Sequence, residues 1–141
     1  MPYATLATLI AQHGTDEITL SSDRDGDGVA DGGVVDQALK EADGIIDSRV
    51  GAVYKLPLPT VPDVLVAYAG DIALYRMSAT TGALTEEKRK RYEDAIAWLN
   101  KVAKGEAVVP GQPEFETKAV GGIRMTAEQR EYSVARTKGM L

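Results

Sequence analysis

Residues 85–105 decide the fold class: Thr85-Glu86-Glu87-Lys88-Arg89-Lys90-Arg91-Tyr92-Glu93-Asp94-Ala95-Ile96-Ala97-Trp98-Leu99-Asn100-Lys101-Val102-Ala103-Lys104-Gly105. Tyr92, Ile96, Leu99 and Ala103 recur at helical spacing and form one apolar stripe, which Ala95, Trp98 and Val102 widen. Thr85 is suited to cap the first turn, because its hydroxyl can accept a free backbone N–H. Glu86 and Glu87 favour the positive end of the helix, and Lys101 and Lys104 favour the negative end. Gly105 permits the left-handed turn that closes it. The basic run Lys88-Arg89-Lys90-Arg91 lies between acidic pairs, so it reads as a solvated helix face.

Working toward the N-terminus, a second helix is expected over about residues 62–80. Pro62 suits a first turn, and Val64, Leu65, Val66, Ala67, Tyr68, Ala69, Ile72, Ala73, Leu74 and Tyr75 make it apolar on most sides. Such a helix belongs in the centre of a bundle. Asp71 interrupts it, and an ion pair to Arg49 or Arg76 is the expected way of tolerating that carboxylate. Before it, Tyr54-Lys55-Leu56-Pro57-Leu58-Pro59-Thr60-Val61-Pro62 contains prolines too closely spaced for a helix and reads as an extended strap.

A further helix is expected over residues 34–50, where Val35, Leu39, Ala42, Ile46 and Val50 share a face. Gly44 within it offers room for a close helix contact at a cost of about 1 kcal/mol. Residues 4–13 read as a short helix stopped by Gly14, and residues 15–22 as a polar connection anchored by Ile18 and Leu20. The expected fold is therefore all-α, a small bundle of about four helices near residues 4–13, 34–50, 62–80 and 85–104.

Residues 106–141 differ. Val108-Val109-Pro110-Gly111-Gln112-Pro113 and Gly121-Gly122 break regular structure, and the apolar residues that follow are too few for a core. The expected organisation is a helical domain over 1–105 and an extended C-terminal arm over 106–141 that orders on a partner. Phe115, Ile123, Met125 and Tyr132 are its candidate anchors, since such an arm draws its binding energy from a few large side chains.

Composition narrows the function classes. The 141 residues include no cysteine, which excludes disulfides, thiol catalysis and Cys-based zinc sites. No apolar run approaches the ~18 residues of a membrane-spanning helix, and the N-terminus lacks the basic stretch of a secretory signal. The net charge is −5. A protein that grips nucleic acid through its phosphates needs a basic face, and none is evident.

The sharpest local motif is Asp23-Arg24-Asp25-Gly26-Asp27-Gly28-Val29-Ala30-Asp31. Its carboxylates fall at loop positions 1, 3, 5 and 9 with Gly28 at position 6, the arrangement by which calcium loops surround a hard cation with oxygens. Asp23, Asp25, Asp27, Asp31 and the Val29 carbonyl are the candidate metal ligands. Position 12 is Val34 in place of the bidentate Glu of an EF-hand, and Asp36 can substitute only if the chain bulges at Gly32-Gly33. The first nine positions resemble the shorter loops of dockerins and thrombospondin repeats. Two readings stay open: a weak Ca2+ site, favoured by the mutual repulsion of the carboxylates, and a plain Asp- and Gly-rich turn.

No catalytic motif accompanies the loop. His13 is the one histidine, and a lone helical histidine is most often a surface or cap residue. There is no G-x-S-x-G, Walker A, G-x-G-x-x-G or H-E-x-x-H pattern, so no enzyme is expected. A metal-cluster hydrolase built on the loop would lack a His or Lys base near it in sequence.

The Tyr3-Ala4-Thr5-Leu6 start, the loop over 17–31, the helix over 34–50, the Leu-Pro-Leu-Pro strap, Asp71-Ile72-Ala73-Leu74-Tyr75-Arg76-Met77, and the helix over 86–106 occur together in this order. Over roughly residues 3–106 the chain resembles the Mu-like prophage head–tail adaptor proteins. The resemblance implies a connector-like helical protein with no catalytic residues. It implies a homo-oligomeric ring of roughly a dozen subunits under the portal protein, in the virion neck, assembled in the host cytoplasm. Such a ring extends the channel through which DNA passes and offers a landing surface to a tail-side stopper or terminator protein. A free-standing calcium-binding interaction module is the alternative.

Overall fold

The computed structural model describes residues 2–112, which form five helices and, among those residues, no strand: α1 Leu6–His13, α2 Thr15–Ser22, α3 Gly32–Val50, α4 Asp63–Thr81 and α5 Glu86–Ala103. The all-α bundle read from the sequence is the observed architecture. The arm residues Phe115, Ile123, Met125 and Tyr132 lie outside the described residues.

α5 has the cap its sequence indicates, with the Thr85 hydroxyl accepting the Lys88 N–H. Its inner face is Lys88, Ala95, Leu99 and Val102. α4 is the central helix and packs against each of the other four. Leu65, Ala69, Gly70, Ile72, Ala73, Leu74, Met77 and Ser78 are all buried along it. Pro62 precedes its first turn as the N-cap residue, and Gly82 ends it in the left-handed conformation with φ 79°. Aromatic pairs join α4 to α5: Tyr75 stacks on Tyr92 with ring centroids 4.0 Å apart, and Tyr68 meets Trp98 at 5.2 Å. These pairings run antiparallel, so the ends of α3 and α5 that carry Arg49 and Asn100 meet at the strap end, where Arg49 donates to Asn100.

Residues 15–22 are a helix, not the polar connection expected. The reason lies in Ser21 and Ser22, which occupy fully buried positions while Leu20 points out at 63% exposure. A search for apolar periodicity passes over serines, yet their hydroxyls are satisfied: Ser22 donates to the Ile18 carbonyl at 2.6 Å, and Ser21 pairs with Ser78 of α4 at 3.1 Å. Gly14 alone joins α1 to α2, at φ 92°, a value that a side chain would strain.

Gly44 does not mediate a close helix contact; it is exposed, and a Cβ there would meet open space. The close approach belongs to Gly70, where a Cβ would lie 2.1 Å from Gln12 Oε1. The chain start is pinned by Tyr3, which is buried and bonds Asp43 through its N–H and Asp47 through its hydroxyl.

The packed unit continues past Gly105. Val109 is 1% exposed, and its N–H donates to the Tyr54 hydroxyl at 3.0 Å. Gln112 Nε2 donates to the Thr60 carbonyl at 2.9 Å. The strap and residues 106–112 therefore close the same end of the bundle.

Candidate metal centre at the acidic loop

The turn between α2 and α3 is built by its own aspartates. Asp23 accepts the N–H groups of Gly26 and Gly28, each at 2.8 Å, and that of Asp27 at 3.3 Å. Asp25 also accepts from Asp27, at 3.2 Å, and Asp27 accepts from Val29 at 2.9 Å. Gly26 and Gly28 adopt φ 77° and 80°, which turns successive N–H groups toward these carboxylates. The loop is thus tied by Asx-turn chemistry.

It also gathers oxygens. One carboxylate oxygen each from Asp23, Asp25 and Asp27 lies within 4.8 Å of the others, a spread that suits a cation bound at about 2.4 Å. The backbone N–H of Gly28, foremost among several donors, holds the Asp23 carboxyl below its usual range. A hydrogen bond shared with Asp23 pushes the Asp25 carboxyl up.

Asp31 and Asp36 are not part of this trio. Asp31 precedes α3 as its N-cap residue and lines a groove with Arg24, Gln37 and Arg76. Asp36 is exposed on α3 and lines a separate hollow with Pro2, Leu6 and Asp43. Val29 is 62% exposed. Three carboxylates fit a hard cation but fall short of the six to eight oxygens that calcium takes. Calorimetric titration of chelator-treated protein is expected to show a Kd on the order of 0.1–1 mM, weakened about tenfold or more by Asp25→Ala. Absence of heat, together with a melting temperature unchanged in millimolar calcium, would leave the plain turn.

Two polar groups taken for surface features are interior. Lys88 is buried: its Nζ lies 2.6 Å from Glu17 of α2, and donates to the Ala83 carbonyl at 2.8 Å and to Ser21 at 3.4 Å. The sequence carried a sign of this, since Lys88 sits on the same helical stripe as Ala95, Leu99 and Val102. The His13 side chain is 3% exposed and faces Asp71. Neither expected arginine partners Asp71: Arg76 pairs with Glu41 at 3.0 Å, and Arg49 bonds Asn100. Gln12 Nε2 reaches Asp71 instead, at 3.1 Å. Among the described residues, no helix is long and apolar enough to cross a membrane.

A helical unit with an Asp-built turn and a proline strap defines a class once it is set beside known proteins. Residues 3–127 match the family described as Bacteriophage Mu, Gp36, so this is a protein of the Mu-like phages. The chain belongs to that Gp36 family. It is 43% identical over 108 residues to Mu-like prophage FluMu protein gp36 of Haemophilus influenzae, covering 76% of this chain and 75% of that protein. It is 31% identical over 106 residues to gene product J of Escherichia phage Mu, covering 74% of each.

Proposed function

We propose that this protein is a structural head–tail adaptor of the virion neck. In this reading, roughly a dozen copies form a cyclic head-to-tail ring under the portal protein, extend the DNA channel, and present a landing surface to the tail-side stopper or terminator. Assembly takes place in the host cytoplasm, and the protein performs no catalysis.

The observation that carries the reading is membership of a Mu-like phage family by a helical unit. A ring of identical subunits needs a heterologous contact between two different, complementary surfaces. The net charge of −5 suits a channel that lets DNA slide without condensing on the wall. Gln112 lies against the strap, and in this reading Phe115, Ile123, Met125 and Tyr132 anchor a neighbouring subunit or the portal.

The second reading, a calcium-binding interaction module, is favoured only by the three-carboxylate cluster. In an adaptor a bound ion would be structural, fixing the entry of the chain into α3. Imaging of portal-bearing heads supplied with the protein tests the adaptor reading directly.

A further inference from the structure

α2 buries Ile18, Ser21 and Ser22 and turns its leucine outward, so it exposes an apolar group that the bundle does not use. Leu20 lines a hollow of about 430 Å³ together with Thr15, Asp16, Thr19, Asp23 and Gly28. Val29, which follows Gly28, is as exposed as Leu20.

The surroundings of this leucine are acidic. Asp16 and Asp23 belong to the lining, and Asp25 and Asp27 stand beside Asp23 in the turn. Among the described residues, no lysine or arginine forms an ion pair with any of the four. Arg24, the basic residue of the turn, is drawn to α4, where it donates to Thr80 at 2.6 Å. An exposed leucine between such carboxylates suits a segment that brings aliphatic carbon and positive charge together. The stem of an Arg or Lys packs on the leucine while its head meets the carboxylates.

This chain holds such a segment. Residues 118–138 carry Lys118, Arg124, Arg130, Arg136 and Lys138 against Glu128 and Glu131, with Ile123, Met125 and Tyr132 among them. The net charge of the whole chain is −5, so this segment is opposite in sign to the rest. Gln112 is held on the Thr60 carbonyl, just before α4 begins. The hollow belongs to the other end of α4, where Ser21 meets Ser78 and Arg24 meets Thr80. The two places are roughly 25 Å apart along that helix. A tether at one end of the unit and a receiver at the other are two different surfaces, as a head-to-tail contact between copies requires. We propose that the hollow between α2 and the acidic turn receives the basic segment 118–138 of a neighbouring copy of this chain, a contact that rests on the adaptor reading and gives its arm a receiving surface.

The chain has no cysteine, so two introduced ones report the contact. Full-length Thr15→Cys and full-length Thr126→Cys, one of them mass-tagged, are mixed at high concentration with a short bis-maleimide. The mixed covalent dimer is expected at about fivefold or more the yield given by Ser48→Cys, exposed on α3, with the same partner. Adding Leu20→Asn or Asp16→Lys to the Thr15→Cys chain should each lower the yield about fivefold, and high salt should act likewise by screening the carboxylates. Both positions are exposed, and circular dichroism checks that each variant stays helical. Equal yield with Ser48→Cys, or a yield that neither variant lowers, would overturn the proposal. So would a chain carrying both Thr15→Cys and Thr126→Cys that links only within itself. The mixture contains no portal or tail, so its outcome is separate from that of the adaptor reading. A neck ring of the doubly substituted chain in which neighbours stay unlinked would keep the adaptor and remove this contact.

Discussion

Replacing Lys88 with alanine is expected to lower stability by about 2 kcal/mol, through loss of its charge-assisted hydrogen bonds and of the packing of its buried stem. In a unit of this size that lowers the melting temperature by about 10 °C or more. The reason is the position of Lys88 at the meeting of three elements: Glu17 on α2, Ser21 beside it, and the Ala83 carbonyl before α5. Without the ammonium, Glu17 keeps only the Ser21 hydroxyl, at 3.2 Å, and whatever water reaches its 33% exposed side chain. Lys88→Met, which keeps the apolar stem, should lose distinctly less. Lys88, foremost through its hydrogen bond, holds the Glu17 carboxyl below its usual range. The pair's contribution is thus present at neutral pH and fades only in acid, as pH falls through that depressed value. Thermal melts of the two variants at neutral pH and in acid check this; an alanine variant as stable as wild type would mean that Lys88 is solvated after all.

Removing residues 113–141 is expected to leave a folded bundle that cannot join heads to tails. Val109 and Gln112 are retained in that truncation, so the contacts to Tyr54 and Thr60 stay intact. Ending the chain at Gly105 is a different experiment. It discards the buried Val109 and should cost about 2 kcal/mol of stability in addition. Cells supplying only the chain that ends at Gln112 should accumulate filled, tailless heads. Infectious particles at wild-type yield from that chain would mean that the arm is dispensable for attachment.

The long helices were legible because their apolar residues repeat at the helical period and the ends of α5 are spelled out by Thr85 and Gly105. The helix over Thr15–Ser22 was not, because it buries serines and exposes leucine, reversing the pattern that periodicity detects. Interior polar pairs were hidden for a related reason. Sequence spacing shows which residues share a helix face, but the partner of a buried charge comes from another helix, and only the packing shows that Lys88 meets Glu17 and that Asp71 meets Gln12 and His13. The acidic loop was readable as a turn with glycines where φ turns positive. Which aspartates converge was not, since Asp31 and Asp36 are carried away from the trio once α3 begins at Gly32.

A reconstruction of the neck tests the adaptor reading most directly. Portal-bearing heads from cells lacking this protein, incubated with the purified chain, should gain a closed ring of about a dozen five-helix units directly under the portal, with its lumen continuous with the portal channel. The same heads should then accept tails. Heads that take up tails without the protein, or a neck in which no density fits the unit formed by α1 to α5, would contradict the account.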